Sequence, residues 1–126
     1  MKSLVRVGVL ALILLFLAAG LGFGQNNAKK IYTKGVEYAA QGIFDEAKAG
    51  FEKALRIDPL YGSAKRALKV LEDELDQKIK SKTAIHLFKG IAYGEKEQLD
   101  DSIVEFNTAI QLNPGDAYAH HCRGIT

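Results

Sequence analysis

The chain divides by the way its apolar residues are spaced. Val7 to Gly24 form an almost unbroken apolar run without a charge, preceded by Lys2 and Arg6. After the polar link Gln25 to Ala28 the spacing becomes helical, with Ile31, Val36, Tyr38 and Ala39 recurring between Lys29 and Ala40. Gly42 is expected to stop that helix, because glycine accepts the left-handed conformation of a helix end at little cost. Asp45 and Glu46 then open a second helix, where negative charge meets the positive end of the helix dipole. Ala47, Phe51, Ala54 and Leu55 stand at i, i+4, i+7 and i+8, one stripe of an amphipathic helix. Asp58-Pro59 ends it, since the residue before a proline is pushed away from helical angles.

The same plan returns downstream. Ile85, Phe88, Ile91 and Tyr93 mark a helix weakened at its end by Gly94. Asp100-Asp101 start its partner, which carries Ile103, Phe106, Ala109 and Ile110 up to the turn signal Asn113-Pro114-Gly115. Between the two units, Ala64, Leu68, Leu71, Leu75 and Ile79 predict a further helix. No proline or glycine interrupts Ser63 to Lys89, so this helix either runs on into the second unit or breaks near Ser81 to Thr83. Lys78, Lys80 and Lys82 favour the break, as positive charge suits a helix end.

The two units share more than hydropathy. Gly35, Tyr38, Ala47, Phe51, Ala54 and Pro59 reappear 55 residues later as Gly90, Tyr93, Ser102, Phe106, Ala109 and Pro114. Small residues at fixed offsets let two helices approach closely, and the aromatics fill the space that is left. This spacing resembles the tetratricopeptide repeat, a helix–turn–helix unit of roughly 34 residues. The resemblance covers units at 28–61 and 83–116, separated by an inserted helix at 62–82. It implies an all-α fold, a short right-handed α-solenoid of helix–turn–helix repeats with one extra helix. Residues 117–126 read as the start of a third unit, Arg123-Gly124 standing 34 residues after Lys89-Gly90. The expectation is a truncated array, or one whose last helix packs on another molecule. The sequence departs from the family at the fourth position, where Ile31 and His86 replace a large aromatic, and at Glu97, which stands where the first unit has Gly42.

In this family the first helices of successive units line a concave groove. By resemblance, the groove positions here are Lys29, Tyr32, Val36, Ala39 and Ala40, then Ala84, Leu87, Ile91, Gly94 and Glu95. Such a surface is mostly apolar, and Tyr32 adds a hydrogen-bonding tip. The Lys and Asn with which some relatives clamp a terminal carboxylate are replaced by Tyr32 with Val36 and Leu87 with Ile91. An apolar peptide or protein segment is therefore the expected partner, unless the groove residues pack against the inserted helix instead.

Composition narrows the function further. Residues 25–126 hold 15 Lys and Arg against 15 Asp and Glu, interleaved through both units. With no basic patch, a nucleic-acid partner is not expected. Cys122 is the only cysteine, so no internal disulfide forms, and it reads as a small buried residue. His120-His121-Cys122 is the one cluster with metal-ligand chemistry. Adjacent helical residues point about 100° apart, so three in a row do not converge on an ion. The acidic run Glu72-Asp73-Glu74 with Asp76 lacks the alternation and central glycine of a calcium loop. No catalytic constellation, metal site or cofactor motif is present, and a non-enzymatic module is expected.

The first 24 residues set the address. A basic start, an apolar stretch and the small residues of Ala18-Ala19-Gly20 and Gly22-Phe23-Gly24 describe a secretory signal peptide. The alternative is an uncleaved anchor, since 18 apolar residues reach the lower margin of a membrane span. Either way the rest of the chain is expected outside the cytoplasm, periplasmic, secreted or membrane-tethered. No cysteine stands near the end of the run for lipid attachment. The sequence thus yields three readings: an interaction module with a protein partner, a self-associating assembly component, or an accessory part of a cell-envelope complex.

Overall fold

The computed structural model describes residues 24, 26–75 and 81–125, and the leader to residue 23 lies outside them. Six helices account for most of the described residues: α1 over 26–40, α2 Phe44–Ile57, α3 Gly62–Leu75, α4 Ser81–Glu95, α5 Leu99–Leu112 and α6 Ala117–Ile125. The fold is an all-α helical repeat. Whether α3 runs on into α4 lies outside the described residues, because 76–80 separate them.

The repeated spacing translates into repeated packing. Gly35 on α1 faces Phe51 on α2 so closely that a Cβ on the glycine would lie 2.8 Å from the ring. Gly90 on α4 faces Phe106 on α5 in the same way, at 2.5 Å. Ser102 reinforces the second pair, donating its buried hydroxyl to the Gly90 carbonyl at 2.7 Å. Each aromatic thus occupies the room that a missing side chain leaves, and the helix backbones close on one another. Ala47, Ala54 and Ala109 are buried completely beside them.

Both hairpin turns close identically. The Ile43 N–H bonds back to the Tyr38 carbonyl and the Gly42 N–H to that of Ala39; Gln98 and Glu97 do the same to Tyr93 and Gly94. This double closure needs a left-handed residue at its centre. Gly42 supplies it at φ 79°, whereas Glu97 adopts φ 60° with a full side chain. Helices α2 and α5 start without a side-chain cap. Asp45 with Glu46, and Asp100 with Asp101, instead place charge in their first turns. Helix α6 is capped by Asp116, whose carboxylate accepts from the N–H groups of Tyr118 and Ala119.

The hairpins meet through aromatic rings. Tyr61, at the entrance to α3, packs edge-on against Tyr32 at 5.1 Å, Tyr32 lies 5.7 Å from Phe51, and Phe51 stacks on Phe88 at 5.8 Å. Helix α3 packs on α2 and buries Ala64, Ala67, Val70 and Leu71. Its buried stripe is therefore shifted from the predicted one: Ala67 and Val70 turn inward and Leu68 is only half-buried. The single extra helix also sets direction. Gly42, after the end of α1, lies beside Ile85 near the start of α4, while Thr33 bonds Glu95 at the end of α4. Helices α1 and α4 therefore run antiparallel.

Candidate partner-binding cleft

The ten groove positions separate into three groups. Tyr32, Val36, Ala39, Ala84 and Leu87 belong to the core, none more than 4% exposed. Ala40, Ile91 and Gly94 are half-buried, and Lys29 and Glu95 are exposed. The antiparallel approach of α1 and α4 explains the division: the faces that a parallel stack would leave open close on each other and on the aromatic column. Four of the ten, Tyr32, Ile91, Gly94 and Glu95, share a cleft of about 310 Å³.

That cleft draws on five helices. Ser63 and Arg66 of α3 form one side, with Tyr61 at its corner. Leu99, Ser102 and Phe106 of α5 and Tyr118, His121, Cys122 and Ile125 of α6 complete it. Its rim carries exposed aliphatic groups: Leu99 is 48% and Ile125 75% accessible. Residues of α3 and α6 were not legible as lining, since nothing in their local spacing reports that α6 folds back onto α1 and α3. Arg66 and Tyr118, 52 positions apart, are brought into hydrogen-bond contact by that return.

Five ionisable groups of the cleft are biased toward their uncharged forms. Burial raises the Tyr32 hydroxyl well above the ordinary tyrosine range, with Tyr118 and Glu95 adding to the effect. Burial, with Cys122 alongside, pushes Tyr118 up to about 12. Burial likewise raises Tyr61 and the Cys122 thiol. Glu95 is exposed as a residue, yet its carboxyl sits in the crowded mouth between α1 and α4, and desolvation raises it too. The Thr33 hydroxyl and the Lys29 ammonium oppose that shift.

The histidine–cysteine cluster on α6 separates in space. Cys122 is buried, His121 borders the cleft and His120 reaches the Pro114 carbonyl at 3.0 Å. Among the described residues no three His, Cys, Asp or Glu side chains gather as metal ligands. At the fourth position of the second unit, His86 Nδ1 stands 2.6 Å from Glu105 Oε2 and ties α4 to α5.

Comparison with known proteins settles the family. A tetratricopeptide repeat profile matches residues 28–59 and 83–116, just over half of the chain. The chain belongs to the tetratricopeptide repeat family. No curated protein and no solved structure matches it. Tetratricopeptide repeats generally mediate protein–protein interaction, and the family is typically a non-enzymatic scaffold. Within this family the present chain is marked by the single helix α3 between its two matched units. Among the described residues no helix is long and apolar enough to cross a membrane; the apolar run 7–23 lies outside them.

Proposed function

We propose that this tetratricopeptide protein is a non-enzymatic scaffold, exported or membrane-tethered through residues 1–24, that holds a segment of a protein partner in the cleft between α1, α3, α4, α5 and α6. The observation that carries the reading is the cleft itself, with its exposed Leu99 and Ile125 rim and four of the groove positions implied by the family. Exposed aliphatic groups around a concavity favour association with another apolar surface. The leader's basic start and uncharged run support export, and an envelope complex is the setting such an address suggests. A nucleic-acid partner has no support from the balanced charge of residues 25–126.

A photoreactive amino acid placed at Leu99 or Ile125 of the full chain in its own cell tests this directly. The expected product is an adduct with one other protein at both rim positions and none from Lys53, on the exposed face of α2. Adducts of the chain with itself alone would favour the self-assembly reading, for which the same rim residues supply an apolar surface. Equal adducts from all three positions would sink the assignment to this cleft.

A further inference from the structure

The apolar run that starts at Val7 closes at Gly24, and Gly24 stands against the corner between α2 and α3. A Cβ on Gly24 would lie 3.5 Å from the side chain of Ile57, the last residue of α2. Past Ile57 the Asp58 carboxylate accepts from the Leu60 N–H at 3.1 Å, and Pro59 fixes its own φ, so the corner is stiff. It holds Leu60 outward. At 85% accessible, Leu60 is the most exposed large apolar side chain among the described residues, and Ile57 beside it is 37% exposed. Two exposed cations share this end of the hairpin, Lys30 near the start of α1 and Arg56 in the last turn of α2.

A single exposed leucine is ordinary on a protein surface. What distinguishes Leu60 is its place, and the repeat supplies the comparison. In the second unit the positions of Lys30, Arg56, Ile57 and Leu60 are taken by Ile85, Gln111, Leu112 and Gly115. Because α4 runs antiparallel to α1, that second corner lies at the other end of the molecule, away from Gly24. The outward leucine and both cations therefore occur at the corner beside the apolar run and are replaced at the distant one. An uncharged run of 18 residues is long enough to be held in a bilayer. Since Gly24 closes that run, Ile57 and Leu60 then stand at the level of the headgroups. Aliphatic side chains flanked by Lys and Arg are suited to that depth, where the apolar groups enter the acyl boundary and the cations meet lipid phosphates.

We infer that residues 7–23 are retained in a membrane and that the α2–α3 corner rests on its surface. Leu60 and Ile57 enter the interface, and Lys30 and Arg56 bond headgroup phosphate oxygens. The inference rests on the membrane-tethered form of the scaffold reading and adds an orientation to it: the corner carrying Leu60 faces lipid, and the one carrying Gly115 faces away.

The test uses the full chain as isolated from its own cells, placed in bilayer discs of phosphatidylcholine and phosphatidylglycerol in equal parts. The discs are doped with a lipid spin-labelled in the upper acyl chain, and methyl resonances are read. Ile43, at the opposite end of α2 and 37% exposed, is the internal reference. The 14 residues of α2 set it about 20 Å from Ile57, and paramagnetic broadening falls steeply with distance, so Leu60 and Ile57 should broaden at least about ten-fold more than Ile43. Leu60→Glu combined with Arg56→Glu, both at exposed positions, should cut the Ile57 broadening at least about five-fold, what one basic contact to a lipid surface is worth by itself. The inference is overturned if Leu60 broadens no more than Ile43, which would mean a loose tether or a corner covered by protein. It is also overturned if the double variant broadens unchanged, or if the chain isolated from its cells lacks residues 1–23. Loss of residues 1–23 with rim adducts still formed at Leu99 would leave the exported scaffold standing and remove only this inference.

Discussion

Gly90 and Glu97 sit within eight positions of one another on the second hairpin and make opposite demands on the chain. At Gly90 the Phe106 ring already occupies the place of a side chain, and that ring is itself buried. Alanine normally gains about 1 kcal/mol over glycine within a helix. Here the overlap outweighs the gain, since overpacking a closed core costs about 1–3 kcal/mol. Gly90→Ala should therefore lower unfolding free energy by about 1 kcal/mol or more, and Gly35→Ala somewhat less; urea denaturation giving unchanged or higher stability would refute the close-packing account. At Glu97 the left-handed backbone carries a Cβ that costs about 1–2 kcal/mol. Glu97→Gly should raise stability by about 1 kcal/mol in the same assay. Much at this scale was legible: the paired glycines and phenylalanines announce their own contacts. The strain at Glu97 could be read only by setting the second unit on the first, opposite Gly42. Arg66 and Tyr118 carried no such signal, because their meeting depends on the path of four intervening helix ends.

The boundaries of the elements were the most readable feature, because glycine, proline and acidic pairs act locally. Helix α2 ends at Ile57 before Asp58-Pro59, and α5 ends at Leu112 before Asn113-Pro114. The orientation of α3 was less readable. A leucine stripe was chosen over Ala67 and Val70, yet small residues are what a close neighbour on α2 selects. Packing of α6 on the first helices has a consequence for pH. Tyr32, Tyr118 and Cys122 have folded-state pKa values raised above their ordinary 10.0, 10.0 and 9.0. Their contribution to stability is fully present below the ordinary values and is lost as pH climbs toward the folded ones. Stability should thus decline from about pH 9 upward, by on the order of 2 kcal/mol at about pH 11. Thermal melts across that range, followed with phenolate absorbance, should show ionisation of these groups coinciding with unfolding, and Tyr32→Phe should flatten the decline. A melting temperature constant to pH 11 would contradict the burial of these hydroxyls.

For the whole molecule, one helix changes the meaning of the repeat. Two contiguous units would run their first helices in parallel and leave the groove positions open. With α3 between them, α1 and α4 meet antiparallel, five groove positions enter the core, and the concavity moves to the junction with α6. The family and fold class followed from the residues at fixed offsets, whereas the position of the concavity did not, because direction is a property of the number of helices and not of any residue. The central claim is that this relocated cleft is where a protein partner docks. Its most direct test is the recovery, with full-length Ile91→Lys, of whichever protein crosslinks through Leu99, measured against the unmodified chain at matched helix content. The cleft account predicts at least about a ten-fold loss, as expected when a charge enters the apolar centre of an interface. Recovery equal to that of the unmodified chain would contradict it.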